Sequence, residues 1–290
     1  MSDSLKQIAE PDDENEARPQ LSMRYRLLLF WRNAETIVYP VAAIVGLLVL
    51  WQVFVVVFNI APYLLPKPTD VLVTLIQDLP DLISQSVITV EEIVLGFALS
   101  VIVGIPLAVG IVTWRAFEKS IYPLLVASQT VPKVAIAPLF LVWFGFGQAP
   151  KVLIAFLIAF FPIVIDTAVG LRSVPTEMTD LAHSMGASPL ALFWKIRFPY
   201  ALPNIFGGLK VGITLAVIGA IVGEFVGSDS GLGYVLVIAN GRLDTALLFA
   251  AILVLVLIGI ITFLIVDGAE RVAIPWHVSK RKEAVTFGTA

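Results

Sequence analysis

Six apolar runs alternate with short polar segments along the chain, near residues 37–59, 86–112, 120–143, 151–171, 205–226 and 245–266. A helix needs about 20 apolar residues to cross a hydrocarbon core roughly 30 Å thick, and each run meets that length. The pattern predicts an all-α integral membrane protein of about six transmembrane helices. Between the first two runs, Lys67, Asp70, Asp78 and Asp81 are spaced among apolar positions over residues 66–85, as in an amphipathic helix lying at the membrane surface. The third run carries Pro123, Pro132 and Pro138, which predicts local unwinding where backbone lines a cavity.

Composition agrees with that pattern. The 290 residues are 58% hydrophobic and 14% charged, with mean hydropathy +0.93, whereas soluble domains carry roughly 25% charged residues. A net charge of −3 without a basic, aromatic-interleaved run excludes a nucleic-acid partner. No cysteine is present, which removes disulfides, thiol catalysis and cysteine-held metals.

Orientation is read from lysine and arginine, which concentrate on the cytosolic side. Of the 19 Lys and Arg residues, all but Lys67, Lys133, Lys151 and Arg242 fall on the side shared by the two termini. The reading is therefore a multi-pass protein of the cell inner membrane with both termini cytosolic. The acidic residues 1–20 read as an unstructured cytosolic tail rather than a secretory signal. The organisation expected is a tail over 1–32, then a first span with a periplasmic amphipathic segment over 33–84. A core of spans follows over 85–268, and a cytosolic tail over 269–290.

The longest cytosolic connection, residues 172–204, is also the most polar. A first short helix is expected from Thr176 or Thr179 to a stop at Gly186, a residue suited to the left-handed position after a helix. Ser188 followed by Pro189 then supplies an N-cap and a first-turn proline for a second helix, which Pro199 and Pro203 are expected to end. Such a helix–turn–helix is either a docking element for another protein or merely an amphipathic loop; the residues alone leave both open.

The spacing Asp180-Leu181-Ala182, three residues, Gly186, nine residues, Ile196, one residue, Phe198-Pro199 resembles the EAA signature of ATP-binding-cassette (ABC) importer permeases. Asp180, Leu181 and Phe198 depart from that pattern, conservatively in polarity, while Ala182, Gly186, Ile196 and Pro199 match it. Stretches such as "VPKVAIAPLFLVWFG", "ALPNIFGGLKVG" and "GEFVGSDSGLGY" extend the likeness over about residues 85–278 to the nitrate/taurine/sulfonate branch. The resemblance implies a type I (MetI-like) importer permease bundle that pairs as a homodimer in the membrane lipid. It implies two copies of a cytosolic ATP-binding subunit and a periplasmic solute-binding protein as partners. That branch handles nitrate, taurine, sulfonates, phthalate-like acids and pyrimidine precursors, and the solute expected first is nitrate, taurine, a sulfonate or a related organic anion. By position, Asp180, Ala182, Gly186 and Ala187 would dock the ATPase, with Ile196 and Pro199 in the supporting part of the motif.

Polar residues inside spans are expensive and are read first as functional. Gln129 and Lys133, spaced i, i+4 on span three, with Asp166 on span four and Glu224 near the outer end of span five, are candidates for the solute path. Lys133 paired with Glu224, and Asp166 capped by Thr167 or Arg172, is the structural alternative. Glycines 207, 208, 212, 219, 223 and 227 allow close helix approach, either within the chain or at a dimer interface. No nucleotide-binding P-loop or hydrolase motif occurs, and His183 and His277 stand far apart. The chain is expected to be a transport subunit with no cofactor, rather than an enzyme, and the rival reading is an ion-gradient-driven secondary transporter or channel.

Overall fold

The computed structural model describes residues 23–275, with side chains from residue 38 onward. Residues 1–22 of the expected N-terminal tail, the side chains of Arg24, Arg26 and Arg32, His277 and the basic residues at 280–282 lie outside the described residues, whereas residues 23–32 of that tail belong to the first helix. Every described element is helical: α1 (Met23–Val57), α2 (Pro68–Gln77), α3 (Leu79–Thr113), α4 (Arg115–Gln129), α5 (Lys133–Phe144) and α6 (Gln148–Arg172). The series continues with α7 (Thr176–Ser184), α8 (Pro189–Leu192), a π-helical turn at Phe193–Arg197, α9 (Phe198–Gly227), α10 (Leu232–Gly241) and α11 (Thr245–Ala273). Five helices are long and apolar enough to cross a membrane, and six if α4 and α5 count as one broken span. The first of these is Val38–Val57, which belongs to a unit separate from the one formed by Ile60 onward.

In the larger unit, α6 lies between α3 and α9. A Cβ built on Gly96 of α3 would sit 2.5 Å from Ala155 Cβ, and one on Gly104 would sit 3.3 Å from Ile163 and Val164. Both numbers rise together, so α3 and α6 run parallel. On α9 the order reverses: Gly208 faces Pro162 and Asp166, Gly212 faces Ile163, Gly219 faces Ala155 and Gly223 faces Lys151. The two helices are antiparallel and approach nearly backbone to backbone, as small residues permit. These four glycines thus serve packing within the chain. Gly227 instead meets Leu141 and Phe146, and Gly207 meets nothing within 4 Å. Gly219→Leu is therefore expected to abolish folded membrane yield, because its Cβ would lie 2.6 Å from the Ala155 Cα and backbone cannot yield as a side chain can. Gly207→Ala should express at the parental level, and size-exclusion profiles of the two variants check the contrast.

The structure corrects four expectations from the sequence. The third run unwinds at residues 130–132, as its prolines led one to expect, but the break bends it by 101° into two helices. Val131 precedes Pro132, which disfavours the helical region at Val131 and removes a donor at the next position. Gln129 and Lys133 consequently flank a break instead of sharing a helical face. The second span begins at Leu79, earlier than the apolar run, and absorbs part of the expected surface helix; α2 holds the remainder. Pro199 and Pro203 do not end a helix: residues 189–227 form one 39-residue helix. The widened turn places the Phe198 N–H on the Phe193 carbonyl, five residues back, immediately before the proline that has no N–H to give. Finally, residues 227–244, expected as one of the short polar segments between apolar runs, contain the apolar helix α10.

Candidate functional site

One set of predicted residues assembles at the turn between α7 and α8. Gly186 has φ +76°, its N–H donates to the His183 carbonyl at 2.9 Å, and the Ala187 N–H donates to the Ala182 carbonyl at 3.0 Å. Paired bonds reaching three and five residues back around a left-handed residue close a helix C-terminus. Ser188 caps the next helix by accepting from the Ala191 N–H at 3.2 Å, with Pro189 in its first turn. Ala182 is buried, Ile196 and Pro199 are half-buried, and Asp180 is exposed. Sequence reasoning passed over Leu181 and Met185, which are 62% and 79% exposed, while Leu190 in the next helix is 70% exposed. Their i, i+4 spacing on an otherwise polar helix was the available signal. Behind the turn, Phe193 and Phe198 pack on a core of Leu171, Ala201 and Ile205, so the turn is mounted on α6 and α9.

The candidate path residues do not form the pair that spacing allowed. Glu224 Oε1 accepts from Thr89 Oγ1 at 2.7 Å and Oε2 accepts from the Gly233 N–H. Lys133 Nζ rests 4.7 Å from the Phe161 ring centre and donates to the Gln129 carbonyl at 3.4 Å. Gln129 is exposed and Asp166 half-buried. Neither expected cap reaches Asp166: Arg172 pairs with Glu118 at 3.1 Å, and the buried Thr167 hydroxyl makes no hydrogen bond among the described residues. Because Lys133 has no acidic partner among the described residues, Lys133→Met should lower stability by no more than about 1 kcal/mol, the loss of one partly exposed cation–π contact. Thermal unfolding of the purified variant checks this, and a larger loss would assign Lys133 to the framework.

Two ionic clusters escaped the sequence reading. Lys210 on α9 bonds Asp267 at 2.5 Å and also Glu270, while Arg271 holds Asp267 at 2.8 Å; this joins α9 to α11. Near the C-terminal end of α9, Glu92 is fully buried and pairs with Lys151 at 2.5 Å. Lys151 also donates to Ser228 Oγ at 2.9 Å. The Gly231 N–H donates to Gln85 Oε1 at 2.6 Å, and the Leu232 N–H donates to Thr89 Oγ1 at 2.9 Å. Gly231 has φ +96°, and a Cβ on Gly231 or Gly233 would collide with the Glu224 carboxyl. These glycines let the first amides of α10 close on that carboxyl. A cavity of about 410 Å³ beside this cluster is lined by Phe146, Gly147, Lys151, Gly227, Ser228 and Asp229.

A family model described as "Binding-protein-dependent transport system inner membrane component" matches residues 79–273. The chain is 37% identical to the formylaminopyrimidine transport permease protein ThiX of Halalkalibacterium halodurans over 82% of its length and 95% of that protein's. It is 39% identical to the riboflavin transport system permease protein RibX of Chloroflexus aurantiacus, covering 80% and 88%. To the taurine transport system permease protein TauC of Escherichia coli it is 27% identical, covering 87% and 94%. Among solved structures, an inward-facing form of the MetNI methionine ABC transporter has a chain that superposes with TM-score 0.57 at 19% identity, covering 66% of this chain and 96% of that one.

Proposed function

The chain belongs to the binding-protein-dependent transport system inner membrane component family and is a permease subunit of an ABC importer for small solutes, and from that premise we propose that a separate cytosolic ATPase drives it through the α7–α8 turn. The observation that carries this reading is the turn itself. A glycine-closed corner with Leu181, Met185 and Leu190 exposed stands at one end of a 39-residue helix. A push on that corner is passed along a rod of packed helix rather than absorbed by a loop. Asp180, Ala182, Gly186 and Ala187 form the docking corner, with Ile196 and Pro199 in the base that holds it.

The same reading places the corner and both termini on the cytosolic side of the inner membrane. The Gly145–Gly147 segment and α10 then lie on the outer side, where a solute-binding protein delivers cargo. Two copies of the chain pair around the path, each engaging one ATPase. Gln129, Lys133 and Asp166 remain path candidates, whereas Glu224 is taken up by its buried partners.

For cargo, the relatives at 37% and 39% identity are named for formylaminopyrimidine and riboflavin, above the taurine permease at 27%. Lys133 and Asp166 give the candidate path one charge of each sign, which does not favour an anion. Nitrogen heterocycles are therefore the first class to test, ahead of the sulfonates that motif likeness suggested. Proteoliposomes containing this chain alone should take up nothing; adding its ATPase, binding protein and ATP should give uptake of the heterocycle. Uptake by the chain alone under an ion gradient would overturn the reading.

A further inference from the structure

We propose that the buried polar cluster at the far end of α9 is a latch, fastened by the Thr89 hydroxyl, that converts movement of the α7–α8 turn into movement of residues 228–231 beside the 410 Å³ cavity. The proposal rests on the coupling reading above.

Thr89 Oγ1 joins three elements at one atom. It belongs to α3, donates to Glu224 of α9 at 2.7 Å, and accepts from the first amide of α10 at 2.9 Å. Gln85, one turn earlier on α3, holds the Gly231 N–H. Lys151 of α6 reaches Glu92 of α3 and Ser228 past the end of α9, and Ser228 Oγ donates to the Ser230 carbonyl at 2.6 Å.

The contacts of α9 elsewhere are of a different kind. Facing α6 they are glycine against backbone and aliphatic groups, which resist separation but are not directional. Among the described residues, directional bonds hold α9 at the Lys210 ion pairs to α11 and at this cluster. From Ser188 to Glu224 the helix spans about 54 Å at 1.5 Å per residue, so its two ends move together or the rod must bend. Bonds buried from water are costly to leave half made, and the cluster therefore has discrete states, fastened or released. Because Lys151 and Ser228 also line the cavity, release changes the cavity wall directly.

The chain has no cysteine, so Asp229→Cys, on the exposed cavity rim, serves as a single reporter. The experiment uses the full complex with ATPase and binding protein, and compares labelling by a membrane-impermeant maleimide without nucleotide and after vanadate trapping. The expected result is a change in labelling rate of at least about fivefold that falls below about twofold in Thr89→Val. Thr89→Ser should restore it, with ATPase copurification and basal hydrolysis unchanged throughout. An unchanged nucleotide effect in Thr89→Val overturns the latch, as does a reporter that labels at one rate in both states of the unaltered complex. If Thr89→Val fails to fold, Gln85→Ala takes its place and must reduce the nucleotide effect for the latch to stand. Failure of the ATPase to copurify with the unaltered chain would instead refute the coupling reading.

Discussion

Gly186→Trp is expected to abolish copurification of the chain with the proposed ATPase, while Gly186→Asn should retain it. The contrast follows from two facts about one residue. At φ +76°, any side chain other than glycine is strained, by about 1–2 kcal/mol for an ordinary L-residue and less for asparagine. Yet a Cβ at Gly186 meets no atom of the chain within 4 Å. Backbone strain therefore acts alike on alanine and tryptophan, and bulk has no consequence until a second protein covers the corner. Gly186→Ala should weaken docking mildly through strain alone, and Gly186→Trp should weaken it at least about tenfold more, equivalent to 1.4 kcal/mol. All three variants should show parental membrane yield. If tryptophan docks as well as alanine, the corner lies outside the interface and the coupling assignment falls.

That corner was legible because its instructions are local. Ser188-Pro189 caps a helix and Gly186 closes one through bonds spanning at most five residues, so the written order of residues carries the geometry. The apolar runs were legible for a similar reason, since a span is a property of one continuous segment. The misreadings share the opposite cause. Pro199 and Pro203 were read as terminators because a proline deletes a bond, but a π turn one residue earlier accommodates the deletion, and that adjustment depends on Phe193 and Phe198 packing against α6 and α9. Helix α10 was hidden because a ten-residue helix is too short for a span and its N-terminal amides are satisfied by residues of α3 and by Glu224. Glu92 and Lys151 stand 59 positions apart, and nothing in the local sequence ties one to the other. Only the parallel packing of α3 on α6 through Gly96 puts them in contact.

Lys151→Met should cause the larger loss of stability, and Glu92→Gln added to it should restore most of that loss. Glu92 has no exposed surface and the Lys151 side chain is 5% exposed, so water contributes almost nothing to either group. Among the described residues the Lys151 ammonium is the counter-charge within 4 Å of the Glu92 carboxylate. Removing one member of a buried pair leaves the other uncompensated, at about 3–5 kcal/mol, whereas removing both charges with similar volume is often close to neutral. Methionine keeps the length of the lysine stem, so the Gly223 contact with the aliphatic part of residue 151 is preserved, and the variant loses the charge together with the bond to Ser228 Oγ. Folded yield measured by size exclusion should fall severely in Lys151→Met and recover in the double variant. A Lys151→Met chain of parental yield would mean that the pair contributes little, and that the glycine-mediated packing of α3, α6 and α9 is sufficient to hold this end of the bundle.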